Sequence, residues 1–230
     1  MLHTLGWACW KTYVGQPEAE WSRREVISTL GSGLYDADNF EDALSVKEAE
    51  LSMERRLGAS EYAILVVQGN LASTYSTLGR DDQSLRMRRD VYVGTLRIVG
   101  EEHKNTLISA NNYAASLLKG ERFVEAKALL RKMIPVARRV LGKGNDLTLK
   151  IRSSYTRALY WNDGTTLGDL REAVATLEDT MRTARRVLGS VHPLTMTIER
   201  ELRNSRAVLS ARKTPSAPSR EDELGVPGDV

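Results

Sequence analysis

Apolar residues recur every three or four positions along most of the chain. In one representative segment they fall at Ile64, Val67, Leu71, Tyr75 and Leu78, and a glycine then interrupts the pattern before it resumes. This spacing places apolar side chains on one face of an α-helix, whereas the alternation typical of β-strands is absent. The pattern therefore predicts an all-α fold built from consecutive helices.

The interruptions divide the chain into helix pairs. We predict four pairs at about 18–57, 60–99, 103–141 and 145–188, followed by a closing helix at 192–211. Residues 1–15 are predicted to form a truncated helix that caps the N-terminal end, because the end of a repeat array must cover its stacking face. The repeat domain is then expected to span 16–212.

Glycines mark the ends of the pairs in a common register. Gly15, Gly58, Gly100, Gly142 and Gly189 are separated by 43, 42, 42 and 47 residues. An arginine lies three residues before each of the last four glycines. Glycine readily takes the left-handed conformation that ends many helices. An arginine in the last turn complements the helix dipole, so we expect a structural role for both.

These repeats resemble a known family. The pattern Leu-Gly-x-x-His-x-x-Thr, then Asn-(Leu/Tyr)-Ala, is best matched at Gly100–His103 with Asn111–Ala114, at Gly69–Ala72 and at Leu188–Pro193. From about residue 15 to 205 the chain resembles tetratricopeptide repeats of the kinesin light chain type, which have the same 42-residue period. The fourth pair differs by an insertion around 161–166, which predicts a longer inter-helix loop.

The resemblance implies a fold and a mode of binding. It implies a right-handed superhelical solenoid of antiparallel helix pairs, in which the first helices line a concave groove. The groove would bind an extended peptide or a helix, and the asparagines at Asn70 and Asn112 would bond the ligand backbone. We therefore expect a protein-interaction module or scaffold whose protein or peptide partner is unidentified.

Helix geometry extends this groove to further residues, since positions three, four and seven apart share a face. The groove runs from small and polar to basic and aromatic, which favours a ligand with an acidic or aromatic end near Arg157 and Trp161. Two alternatives stay open: asparagines that only bridge helices, and a Trp161 that packs under the inserted loop. The predicted groove residues are Asn70, Ser73, Thr77, Asn111, Asn112, Lys119, Lys150, Arg157, Tyr160 and Trp161.

Charge adds an alternative function. The chain of 230 residues has a net charge of +3, and from Thr214 onward it has one basic and four acidic residues. This composition predicts a disordered acidic tail at 213–230 and a basic body. The basic residues could form a nucleic-acid-binding stripe, but acidic residues interrupt them, so we favour a solvated outer face. The stripe would contain Arg86, Arg88, Arg89, Arg97, Arg131, Lys132, Arg138 and Arg139.

The sequence offers no recognisable catalytic or metal-binding motif. It has three histidines without zinc spacing and one cysteine, and it lacks a phosphate-binding loop and a nucleophile elbow. We expect no enzymatic activity and no cofactor or metal. The longest apolar run, Tyr62–Val67, is far shorter than a membrane span, and no secretory signal is evident. We expect a cytoplasmic protein without a membrane or nucleic-acid partner; a purely structural subunit of an assembly is a third possibility.

Overall fold

The structure is a computed structural model that describes residues 17–161 and 164–213. This part of the chain contains nine α-helices and no strand, which confirms the predicted all-α fold. The predicted N-terminal cap at 1–15 and the tail from residue 214 lie outside the described residues. The helices are α1 (Pro17–Asp36), α2 (Phe40–Arg56), α3 (Glu61–Thr77), α4 (Asp81–Val99), α5 (Lys104–Lys119), α6 (Phe123–Val140), α7 (Asp146–Tyr160), α8 (Leu167–Leu188) and α9 (Pro193–Lys213).

The helices form a repeat array. Each helix packs against the next one in the chain, and short turns join them. In addition, α5 packs against α7, and α7 packs against α9. From α5 onward, the first helices of neighbouring pairs therefore lie side by side, which is the arrangement of a helical solenoid.

Small residues allow the helices to approach closely. Ala72, Ala114, Ala126 and Ala173 are all 0% exposed, which matches their positions on the predicted apolar stripes. Larger side chains fill the remaining space, and the largest buried cluster joins α4 through α8. Its fully buried members include Leu107, Leu117, Leu130, Met133 and Leu159. This core fixes the relative positions of α5 and α7, the central first helices.

Positive backbone φ angles occur at the helix ends. Gly58, Gly100, Gly142 and Gly189 have φ between +64° and +89°, which confirms the conformation predicted for the repeat glycines. The turns inside the pairs also use a positive φ: +59° at Asp38, +72° at Gly79 and +57° at Glu121. The same turn is therefore built with glycine in one pair and with a larger residue in two others.

Arginines in the last turns of α4 and α6 form ion pairs as well as complementing the helix dipole. Arg97 pairs with Glu61 at the start of α3, and Arg139 pairs with Glu102 just before α5. Each ion pair joins the end of the second helix to the start of the first helix within the same helix pair. The arginines of the repeat register are thus structural in these two pairs.

Candidate peptide-binding groove

The first helices α3 and α5 form a cavity together with α4, which we call the neutral cavity. It has a volume of about 360 Å³, and three predicted groove residues, Asn70, Ser73 and Asn112, line it. The helix α3 supplies no charged residue from Tyr62 to Thr77. The remaining lining residues are Tyr62, Leu65, Val66, Gly69, Arg88, Val91, Thr95, Asn105, Ile108 and Ser109.

The wall of the neutral cavity combines apolar and amide groups. Val66 and Ile108 are 50% and 37% exposed, although both are large apolar residues. Asn105 donates a hydrogen bond to the Tyr62 hydroxyl and so bridges α5 and α3. The surface is therefore apolar in part, uncharged along α3 and fixed by a polar contact.

Asn70 and Asn112 are both exposed and occupy equivalent positions in successive pairs. Within the described part of the chain, neither side-chain amide forms a hydrogen bond, and only their backbone carbonyls accept one. The helix-bridging role that the sequence left open belongs instead to Asn105. The two amides each present donors and an acceptor to the groove.

A second cavity, the basic cavity, lies towards the C-terminal ends of α5 and α7. Its volume is about 510 Å³, and it brings together the predicted residues Lys119, Arg157 and Trp161. The Arg157 guanidinium lies over the Trp161 ring at 4.2 Å from the ring centroid. Trp161 is 43% exposed, so it presents its surface to the cavity. The other lining residues are Ser76, Arg88, Ala115, Leu118, Glu121 and Phe123.

Two of the charged residues that line the basic cavity, Lys119 and Arg157, lie close to carboxylates of neighbouring helices. Lys119 lies 2.6 Å from Asp81 and donates to the Ser76 carbonyl at 2.9 Å. Arg157 lies 3.8 Å from Glu201 of α9, in addition to its contact with Trp161. Both basic groups therefore join neighbouring helices while they face the cavity.

Tyr160 does not lie in the groove, so the prediction for this residue is wrong. Its side chain is 7% exposed and donates a hydrogen bond to Glu201. Burial, followed by the hydrogen bond and charge of Glu201, raises the pKa of Tyr160 above its usual range. Because α9 packs against α7, the last turn of α7 turns this ring into the core.

Three other predicted residues line neither cavity. Thr77 is hydrogen-bonded to the Tyr35 hydroxyl at 2.8 Å, and Lys150 pairs with Asp146 one turn earlier at 2.6 Å. Asn111 is half-buried, and its Oδ1 is buried without a partner among the described residues. Six of the ten predicted residues therefore line the two cavities, and four do not.

Arg88 is a groove residue that the sequence interpretation placed elsewhere. The charge pattern predicts Arg88 on an outer basic face, whereas in the structure it is half-buried and lines both cavities. Its Nη1 donates to the Asn112 carbonyl at 3.2 Å and to Ser116 Oγ at 3.0 Å. The repeat register contains the signal, because Arg88 lies at a position where later pairs have leucine.

Four of the eight basic residues of the predicted stripe are paired with acids in the described part of the chain. Lys132 lies 3.3 Å from Glu101, and Arg89 lies 3.4 Å from Asp90. Together with the ion pairs of the last turns of α4 and α6, these contacts favour the solvated outer face over a continuous basic stripe. Such exposed pairs contribute about 0–1 kcal/mol each to stability.

The described residues offer no assembly of three or more histidine, cysteine or carboxylate side chains suited to a metal ion. None of the described helices combines the length and the apolar character that a membrane crossing requires.

Comparisons with known proteins agree with this architecture. A tetratricopeptide repeat profile matches residues 106–146 and 165–194. No curated protein matches the chain. Nearly identical TPR-like repeats from a Podosopora anserina protein, assigned as a kinesin light chain, superpose with a TM-score of 0.69 at 20% identity. That match covers 84% of this chain and 89% of the other.

Two further structures are similar at lower scores. BtubC (BKLC) from P. vanneervenii has a TM-score of 0.55 at 14% identity and covers 99% of this chain and 96% of its own. A Rap protein complexed with competence and sporulation factor has a TM-score of 0.52 at 16% identity, with 83% and 54% covered. At these identities the likeness establishes the fold. The chain contains tetratricopeptide repeat segments at 106–146 and 165–194, and its helix pairs have the fold of repeats of the kinesin light chain type.

Proposed function

We propose that this protein is a non-catalytic interaction scaffold that binds an extended peptide along the neutral and basic cavities. The observation that carries the proposal is the pair of amides at Asn70 and Asn112. They lie in one cavity, on successive first helices, and form no hydrogen bond within the described residues.

An extended peptide meets the requirements of the neutral cavity. Its backbone N–H and C=O groups need partners when water is removed, and an asparagine amide offers both donors and an acceptor. The exposed Val66 and Ile108 beside these amides can contact apolar side chains of the ligand. Apolar walls with a few placed polar groups are typical of binding sites.

The basic cavity would hold one end of the peptide. The stacked Arg157 and Trp161 present a cation and an aromatic surface, which suit an acidic or aromatic side chain. This supports the polarity that the sequence predicts, from a small polar end to a basic aromatic end. A Rap protein with the same helical fold was solved with a bound factor, which supports ligand binding by such an array.

The test compares groove and outer-face variants. A peptide library, and material co-purified from native cells at two salt concentrations, are assayed with Asn70→Ala plus Asn112→Ala and with Arg131→Ala plus Arg138→Ala. We expect the asparagine pair to reduce binding with little change in melting temperature, because their side chains are exposed and unbonded. The outer arginines, seven residues apart on α6, are the matched control.

A different outcome would support the alternative function. If the outer arginine pair alone abolishes association, with strong salt dependence and sensitivity to nuclease, the groove proposal is wrong. Strong salt dependence is expected for contacts with nucleic-acid phosphates. A large loss of stability in the asparagine variant would instead assign these residues to the fold.

A further inference from the structure

Arg88 occupies a position that is part of the core in other helix pairs. It lies twelve residues before the pair-ending Gly100. The residues at the same distance from Gly142 and Gly189 are Leu130 and Leu177, both 0% exposed. A charged residue at a repeat position used for packing requires a reason other than the stability of the array.

The surroundings of Arg88 do not include a dedicated counter-ion. In the described part of the chain no carboxylate lies within ion-pair distance of its guanidinium, and its hydrogen-bond acceptors are neutral. The acid that acts on it through space, Asp81, is paired with Lys119 at 2.6 Å. Burial lowers the pKa of Arg88, and the opposing effects of Tyr35 and Asp81 offset only part of this.

Arg152 shows how the same protein balances a buried arginine. It is 5% exposed, lies between α7 and α8, and has Asp179 at 2.8 Å. Arg152 thus has a carboxylate within hydrogen-bond distance, although Lys143 and Arg182 also lie within ion-pair distance of Asp179. Arg88 lacks this partner and opens to two cavities, whereas Arg152 lines neither of them.

The guanidinium of Arg88 also retains donor capacity. Its two hydrogen bonds both use Nη1, and within the described residues Nε and Nη2 form none. An arginine can bind a carboxylate through two parallel N–H donors, a geometry that neutral side chains do not supply. The two other basic residues facing this groove, Lys119 and Arg157, already pair with carboxylates.

Building on the proposed peptide function, we propose that Arg88 binds the carboxylate of one acidic residue in the peptide, at the junction of the neutral and basic cavities. The carboxylate replaces the counter-ion that the fold omits. The ligand is thus an extended peptide with an acidic residue in its middle, between a segment that contacts Asn70 and an end that reaches Trp161.

The probe is a library of random peptides selected on the wild-type protein. We expect the selected peptides to carry aspartate or glutamate at one fixed position. Arg88→Leu and Arg88→Gln should weaken their binding about 10- to 100-fold, as the loss of a hydrogen bond to a charged group predicts. Exchanging the acidic residue of the peptide for its amide should weaken binding to wild type but not to Arg88→Leu.

Stability separates this role from a structural one. Arg88→Leu introduces the residue found at the equivalent positions, so its melting temperature should equal or exceed that of wild type. Arg86→Leu is the matched control, since Arg86 is exposed on the same helix, and it should leave peptide affinity unchanged. A lower melting temperature in both Arg88 variants with unchanged affinity would overturn the inference.

The two proposals fail in different ways. If the selected peptides are sensitive to Asn70→Ala but have no fixed acidic position, or bind Arg88→Leu as tightly as wild type, only the role of Arg88 is wrong. If no selected peptide is sensitive to Asn70→Ala or Asn112→Ala, the groove function is wrong, and the role of Arg88 falls with it.

Discussion

Replacing Glu121 with glycine should stabilise the protein, because this residue holds a positive φ in the turn between α5 and α6. Its φ is +57°, and the turn closes with bonds from Glu121 N to the Leu118 carbonyl and from Arg122 N to the Leu117 carbonyl, at 3.2 and 2.8 Å. The equivalent turn after α3 has the same two bonds, with Gly79 at a φ of +72°.

The expected gain is the difference between two effects. A residue with a Cβ atom pays about 1–2 kcal/mol in the left-handed region. Glycine raises the entropy of the unfolded chain, which costs about 0.5–1 kcal/mol. The exposed Glu121 side chain has no ion pair among the described residues, so little else is lost. The net gain should be about 0.5–1 kcal/mol, or about 2 °C for a chain of this length.

The assay is urea unfolding monitored by circular dichroism, with melting temperature as a second readout. Gly79→Ala is the reciprocal variant and should lose about 1 kcal/mol. Gly33→Ala is the control for the substitution itself. Gly33 is exposed within α1 with open space around it, so alanine there should gain about 1 kcal/mol. If Gly79→Ala lowers the free energy of unfolding while Gly33→Ala raises it, the difference is due to the backbone conformation at each glycine and not to the added methyl group.

The reasoning is refuted if Glu121→Gly lowers the unfolding midpoint while Gly79→Ala leaves it unchanged. Such a result would mean that these turns do not hold a positive φ in solution. A changed dependence of the unfolding free energy on urea would instead indicate a changed unfolded or native ensemble. Unfolding midpoints are therefore compared only between variants whose unfolding free energy depends on urea concentration with the same slope.

Three further changes test the packing and charge contacts of the array. Gly94→Ala should lose about 1 kcal/mol in thermal unfolding, because its Cβ would lie 2.8 Å from both terminal methyl carbons of Leu65, and Leu65→Ala should reduce that loss. Burial raises the pKa of Asp179, but the hydrogen bond and charge of Arg152 lower it to about 2. The ionised Asp179 therefore stabilises the fold above about pH 4, the pKa of aspartate in the unfolded chain, and this stabilisation is lost as the pH falls towards 2. In Asp179→Asn, the free energy of unfolding should therefore depend less on pH between about 4 and 2. Tyr160→Phe should lose about 1–3 kcal/mol in urea unfolding, because it leaves a buried carboxylate of α9 without its hydroxyl donor.

Features that depend on local spacing could be predicted from the sequence. The apolar period predicts helices, and the repeat glycines predict positive φ at four helix ends. The alanine positions predict close helix contacts, and these alanines are fully buried. Each of these follows from the chemistry of one residue and its near neighbours.

Features that depend on contacts between distant segments could not be predicted in the same way. Tyr160 is on the expected helix, but only the packing of α9 against α7 buries its ring beside Glu201. The turn after α5 has a glycine at position 120, yet the positive φ falls on Glu121. The position of the positive φ is set by the hydrogen bonds that close the turn onto the last carbonyls of α5. The presence of a glycine in the turn does not by itself determine which residue takes that conformation.

Arg88 lies between these two cases. Its charge and its place on a second helix point to an outer surface, whereas its distance from Gly100 places it among core leucines. The structure agrees with the repeat register, because Arg88 donates inward to Asn112 and Ser116. The position of Arg88 relative to Gly100 therefore predicts that it faces inward. The pattern of charges along α4 alone does not predict this.

The spacing of the first helices sets the length of the ligand. Packed helices lie about 8–10 Å apart, and an extended chain advances about 3.3 Å per residue. One step from α5 to α7, which pack against each other, thus corresponds to about three residues of peptide. The step from α3 to α5, which the Asn105–Tyr62 hydrogen bond joins, corresponds to at least as many. A peptide that contacts Asn70, Asn112 and Trp161 needs about seven residues. Its backbone would contact Asn70 and Asn112, and its acidic residue would lie between Asn112 and Trp161. Stepwise truncation of a selected peptide should then show a steep loss of affinity below about seven residues, and a peptide of four residues that binds fully would contradict a ligand extended across three helix pairs.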